Sequence, residues 1–262
     1  MKLAITGKGG VGKTTLSSLL ARLYASEGRK VTAIEANLDQ NLAMALGFTP
    51  EEAQSIKPIA ELTDLIEERT GARPGTHAPL YKLNPKVDDI AERFSLTKNG
   101  VRLLLLGAVK TGGSGCFCPE SALLKTLMTY LILGKTDVLI MDMDAGVEHM
   151  SRGTTESVDA FIIVVEPGKR SLATAETIRN MASDLGIKKC YIVGNKITSD
   201  KDKQFIRDNS DNFEVLGFIS LDDKVREADL QGISAFDTAP KVLDDIKAIK
   251  DKLQEISQEK NA

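Results

Sequence analysis

Six aliphatic runs punctuate the chain, at residues 2–6, 30–35, 101–106, 138–142, 160–166 and 190–195, and a weaker seventh lies at 215–219. The stretches 103–106, 138–141 and 161–165 are almost unbroken apolar sequence, as expected for strands covered on both faces. Between the runs the period changes to that of a helix. Leu16, Leu19, Leu20 and Leu23 share one face of a helix expected over 13–27, which stops at Gly28. Pro119 opens a second helix that ends at Gly134, and a third spans 171–185 before Gly186. Near the C-terminus, Val242, Ile246, Ile249, Leu253 and Ile256 form an apolar stripe between acidic residues, the pattern of a helix docked on a core. This alternation predicts a doubly wound α/β fold: a mostly parallel sheet of seven or eight strands with helices on both faces. Residues 51–97 read as an insertion holding one helix (59–68), a Gly/Pro-rich turn (71–79) and a short strand (80–83). No repeat and no linker interrupts the rest, so residues 1–262 are expected to form a single domain.

The first predicted strand runs into Gly7-Lys8-Gly9-Gly10-Val11-Gly12-Lys13-Thr14-Thr15 and then into the first predicted helix. The spacing G-x-x-x-x-G-K-[ST] in a strand–turn–helix context is that of a phosphate-binding loop. Glycines let the backbone curl so that successive N–H groups point at phosphate oxygens, and the helix N-terminus favours anions. Gly9, Gly10, Val11 and Gly12 are expected to supply those N–H groups. Lys13 then meets the β and γ phosphates, the Thr14 hydroxyl ligates Mg²⁺, and Thr15 serves the α phosphate.

Two more strand ends carry chemistry. The run 138–142 ends in Asp142, expected to hold Mg²⁺-bound water, and Gly146 follows where a γ-phosphate-sensing loop needs a free backbone N–H. Residues 142–149 are therefore the expected second switch. The run at 190 ends in Asn195-Lys196-Ile197-Thr198. A guanine site of the N-K-x-D type needs an aspartate where Thr198 stands, so the expected nucleotide is ATP or ADP, with Asn195 and Lys196 at the base side.

Gly112-Gly113-Ser114-Gly115 leads into Cys116-Phe117-Cys118-Pro119. A helix N-terminus stabilises thiolate, and two sulfurs two residues apart on an extended segment leave the chain on one side. Thiolates select Ni²⁺, Zn²⁺, Cu⁺ or an iron–sulfur cluster. A closed site needs four ligands, so two chains about a two-fold axis would share one ion. His149 is a weaker candidate for a third ligand or an interface contact, and His77 reads as solvated. Cys190 lies in a predicted core strand and reads as packing.

Composition narrows the setting. A net charge of −3 argues against a sequence-independent grip on nucleic acid. No apolar run approaches the ~20 residues of a membrane span, and the first ten residues lack the pattern of a signal peptide, so a cytoplasmic location is expected. Three cysteines in a chain of this length form no disulfide framework.

The loop with its second lysine, Lys8, resembles the deviant phosphate loop of the MinD, ParA and nitrogenase iron protein superfamily. That resemblance implies a dimer in which Lys8 reaches the partner's nucleotide. The superfamily usually carries D-x-D-P after its second strand, whereas this chain reads Glu35-Ala36-Asn37-Leu38. Asn37 thus stands where an aspartate contacts the attacking water, and slow hydrolysis is expected, with Asp39 a candidate substitute. The phosphate loop, the Cys-x-Cys pair before a helix and the segment 142–154 together are similar to those of CooC-type ATPases, the nickel-insertion maturation factors of carbon monoxide dehydrogenase, with relatives serving acetyl-CoA synthase. The resemblance implies Mg²⁺-dependent ATP hydrolysis, a homodimer promoted by ATP or metal, and Ni²⁺ (or Zn²⁺) held by Cys116 and Cys118 across the dimer. It also implies a client nickel enzyme. The alternative is a MinD- or ParA-like ATP switch controlling the assembly or positioning of a partner, but neither a membrane-targeting tail nor a basic DNA face is visible.

Overall fold

The computed structural model describes residues 1–37, 41–74, 80–107, 118–146, 157–187 and 189–261, with side chains to residue 258. Eight strands form one sheet: β1 (Lys2–Gly7), β2 (Val31–Ala36), β3 (Leu96–Lys98), β4 (Val101–Leu105), β5 (Val138–Met143), β6 (Ala160–Val165), β7 (Cys190–Ile197) and β8 (Glu214–Ser220). Their order is β3-β4-β2-β5-β1-β6-β7-β8, and every neighbouring pair is parallel except β3–β4. The doubly wound fold expected from the pattern is the one observed.

Strand alternation sorts the core into two layers. Leu3 and Ile5 of β1, Val31 and Ala33 of β2, and Val138 and Ile140 of β5 face one layer. It is closed by helices α1 (Lys13–Ser26) and α2 (Leu42–Ala45) and by the C-terminal helix, α10 (Pro240–Asn261), whose Val242, Ile246, Ile249 and Leu253 are buried as their spacing predicts. Ala4, Ile34, Leu139 and Met141 face the other. That layer is closed by α4 (Thr63–Thr70), α6 (Pro119–Leu133) and α7 (Lys169–Asp184). Burial of both faces explains the unbroken apolar runs.

The connection from β2 to β4 departs from expectation. It contains α2, α3 (Pro50–Ser55), α4 and α5 (Ile90–Arg93). The helix expected at 59–68 is split: Ile59–Glu61 is a 3₁₀ turn, and α4 begins only at Thr63. Leu62 breaks the run because its dihedrals (φ −82°, ψ 72°) lie outside the helical basin. Residues 80–83 form no strand; Leu80 and Leu83 are 85 % and 62 % exposed. The eighth strand is instead β3, joined to β4 by Asn99-Gly100. Both turn residues have positive φ (52° and 77°), the geometry of a tight two-residue hairpin. Past β7, α8 (Asp200–Asp208) and α9 (Asp223–Gln231) flank β8 ahead of α10, each opened by a side-chain cap, Ser199 and Asp222.

Candidate nucleotide site at the carboxyl edge of the sheet

The parallel strands deliver their C-terminal ends to one edge, where a doubly wound sheet binds its ligands. A cleft of about 790 Å³ opens there, lined on the phosphate side by Gly9, Gly10, Gly12, Lys13, Thr14 and Thr15. That volume suits a nucleotide. Gly12 sits at φ 95°, and a Cβ there would lie 2.0 Å from the Asn195 Nδ2, so no other residue fits without displacing the neighbour. Lys13 is buried, and its Nζ donates to the Lys8 carbonyl at 3.3 Å. Lys8 itself is exposed. Val11 turns its side chain into the core, so only its backbone can serve the loop.

Thr14 Oγ1 donates to Asp142 Oδ2 at 2.7 Å. Asp142 falls on the α1 face of β5 by alternation, opposite Glu35 at the same register on β2. Both carboxylates are fully buried, and each keeps one oxygen without a hydrogen-bond partner, Asp142 Oδ1 and Glu35 Oε2. Glu35 Oε1 accepts from the Leu42 N–H at 2.9 Å, at the start of α2. Burial pushes the Asp142 carboxyl up to about 6, partly opposed by the Thr14 hydrogen bond and the Lys13 charge. Burial pushes Glu35 up to about 8, opposed by the Leu42 N–H and reinforced by the charge on Asp142. Asn37 is also buried, lines the cleft, and lies close enough to Asp142 to favour its charged form. A threonine hydroxyl bonded to a carboxylate whose second oxygen is orphaned is a donor set that suits Mg²⁺ and its waters.

Three sequence expectations change here. Asn195 was expected to face the base, but its carboxamide grips the loop: Nδ2 donates to the Val11 carbonyl at 2.7 Å and Oδ1 accepts from the Lys196 N–H at 2.8 Å. Lys196 acts likewise, donating to the Gly10 carbonyl at 2.8 Å while paired with Glu166. Both remain on the cleft wall, but they brace the phosphate loop from β7. Gly146 was expected to present a free N–H, yet that group donates to the Asp144 carbonyl at 2.7 Å. The cleft wall also includes Ile219, Leu221, Asp222 and Val225, which the sequence reading missed. Their position after a strand at the carboxyl edge was the available signal.

Cys118 is half-buried and extended (φ −119°, ψ 155°) at the N-cap of α6, as the spacing predicted, and its thiol donates to Ser121 Oγ at 3.2 Å. Leu38, Asp39, His77, Cys116, Glu148 and His149 lie outside the described residues.

The CobQ/CobB/MinD/ParA nucleotide binding domain matches residues 2–111. The carbon monoxide dehydrogenase accessory protein CooC of Rhodospirillum rubrum is 46 % identical over 251 residues, covering 95 % of this chain and 94 % of that protein. The chain belongs to the CooC family. A second relative of this CooC-family chain, an ATP-binding protein of Methanocaldococcus jannaschii, is 43 % identical over 88 % of the chain and 90 % of its own length. Among solved structures, MinD in the MinC:MinD complex of Aquifex aeolicus matches with a TM-score of 0.66 at 23 % identity, covering 98 % and 95 % of the two chains. MinD of Pyrococcus horikoshii, complexed with Mg-ADP, matches at 0.63 and 22 %, covering 98 % of each. These two show a shared fold, and the family is that of a P-loop NTPase of the MinD/ParA superfamily. Among the described residues, no helix is long and apolar enough to cross a membrane.

Proposed function

We propose that this CooC-family chain is a Mg²⁺-dependent ATPase that dimerises and carries nickel to a client enzyme such as carbon monoxide dehydrogenase or acetyl-CoA synthase. The observation that carries the ATPase half is Lys13 and Thr14 together on the cleft wall, with the Thr14–Asp142 hydrogen bond joining the loop to β5 directly behind them. Lys13 holds the β and γ phosphates, and the loop N–H groups hold the rest of the anion. Thr14 and Asp142 hold Mg²⁺, which, when bound, neutralises charge developing on the transferred phosphoryl group. Asn195 and Lys196 keep the loop in its curled conformation. Phosphoryl transfer depends mainly on positioning and electrostatics, so Asn37 slows the reaction without abolishing it.

The nickel half is supported by kinship to CooC and by Cys118, extended and half-buried at the N-cap of α6. Four thiolates from two Cys116–Cys118 pairs close a site that one chain leaves half-built. The whole chain works as one nucleotide-binding unit in the cytoplasm, with neither membrane nor nucleic acid as partner. An anaerobic Ni²⁺ titration, read by size-exclusion mass with and without ATP, tests this. The expected result is one ion per two wild-type chains, and loss of tight binding in a Cys116→Ser, Cys118→Ser variant. Equal affinity in the two proteins, or one ion per monomer, sinks the shared site.

A further inference from the structure

Asn37 leaves the hydrolytic site short of a carboxylate, and the described residues show where one is. Asp144 lies two residues beyond Asp142, just past the C-terminal end of β5, and lines the cleft together with Lys13, Thr14 and Asn37. Its backbone is fixed from two directions: the carbonyl accepts from the buried Thr6 Oγ1 at 2.5 Å and from the Gly146 N–H at 2.7 Å. With the carbonyl anchored inward, the side chain is left exposed on the cleft side. Among the described residues, the other carboxylates of this region are committed or lie elsewhere on the cleft wall. Asp142 is bonded to Thr14, and Glu35 to the start of α2. Asp222 caps α9 and Asp229 lies within that helix, on another part of the cleft wall.

We propose that Asp144 is a catalytic residue of ATP hydrolysis, accepting a hydrogen bond from the attacking water in the place that Asn37 leaves without a carboxylate. The inference rests on the ATPase reading above. In the step, the water oxygen forms a bond to the γ-phosphorus as the bond from that phosphorus to the β–γ bridging oxygen breaks. The electron pair of the broken bond leaves on ADP, and the proton lost by the water goes to the phosphate product. Asp144 orients the water and need not retain its proton. The anchored carbonyl fixes the backbone from which that carboxylate projects, which limits the positions it can take over the cleft.

Single-turnover hydrolysis at saturating ATP and Mg²⁺, with ATP affinity measured separately on the same full-length variants, tests this. Asp144→Asn is expected to lower the rate at least about 10-fold while ATP affinity stays within about 2-fold, the signature of an interaction made in the transition state. Moving the charge, in an Asn37→Asp, Asp144→Asn double variant, is expected to recover most of the loss. Turnover of Asp144→Asn within about 2-fold of wild type overturns the proposal. So does a loss that disappears on raising Mg²⁺, because that behaviour belongs to a metal ligand. A wild-type protein that binds ATP without hydrolysing it overturns the ATPase reading and this inference with it, whereas active wild type with equally active Asp144→Asn removes this inference alone.

Discussion

Glu35 is the residue at which burial and charge are most in tension. It shares a register position with Asp142 on adjacent strands, and Asp144 adds a third acidic group, while the charge of Lys13 is directed at Asp142. A carboxyl held up to about 8 in the folded chain, against an ordinary value near 4, binds its proton more tightly when folded. Its contribution to stability is therefore complete below the ordinary value and is lost as pH rises through about 8. In EDTA, the melting temperature of the wild type should fall from about pH 5 to about pH 8 and level off above it. Glu35→Gln, whose amide oxygen can still accept the Leu42 N–H, should flatten that slope; parallel melting curves for the two proteins would show that Glu35 does not titrate in this window. Lys13→Ala is the complementary test at the phosphate end. It removes the point charge on the β and γ phosphates and should abolish ATP binding measured by calorimetry. Residues of the phosphate loop were legible in the sequence because their chemistry is local and contiguous. Asn195 was only half legible: its place on the cleft wall follows from the strand end, but its bond to Val11 spans most of the chain and no spacing rule encodes it.

The phosphate loop acts as an element only because β7 braces it. Gly12→Ala forces a side chain into φ 95° and drives its Cβ against Asn195, so it should weaken ATP binding by at least about 10-fold. Backbone strain of about 1–3 kcal/mol should also lower the melting temperature by several degrees. Adding Asn195→Ala relieves the clash but keeps the dihedral strain and removes the bond to the Val11 carbonyl, so it should not restore wild-type stability. A Gly12→Ala protein that melts and binds ATP like wild type would show that the loop tolerates a different curl. Elsewhere, element boundaries followed how much of the signal was local. The buried parallel strands were legible from unbroken apolar runs. The 59–68 helix was not, because period alone cannot detect that Leu62 departs from helical dihedrals. The eighth strand was misplaced at 80–83 although the hairpin signal Asn99-Gly100 was present; three residues of mostly exposed edge strand carry too little hydrophobic alternation to be noticed.

At the scale of the whole molecule, the carboxyl ends of β1 and β4 lie on one edge of the sheet. The phosphate loop follows β1, and the segment that leads to Cys118 follows β4, parallel to β2 and, through β5, to β1. Both strands therefore end at the same edge of the sheet. If two chains meet across that edge, nucleotide and metal are held by one interface and cannot bind independently. Linkage then requires that the factor by which ATP changes Ni²⁺ affinity equal the factor by which Ni²⁺ changes ATP affinity. Irving–Williams preference separates Ni²⁺ from Zn²⁺ too weakly to decide between them, so Zn²⁺ should show the same reciprocity. Lys8 supplies the control. It is exposed, and only its backbone carbonyl receives Lys13, so Lys8→Ala should leave ATP binding to the isolated chain intact. If its ammonium reaches the partner's nucleotide, the variant should still bind ATP and still bind metal through its cysteines, yet lose ATP-promoted dimerisation in sedimentation and show no mutual shift in the two affinities. Persistence of the full coupling in Lys8→Ala would mean that the subunits communicate through some contact other than the phosphate loop.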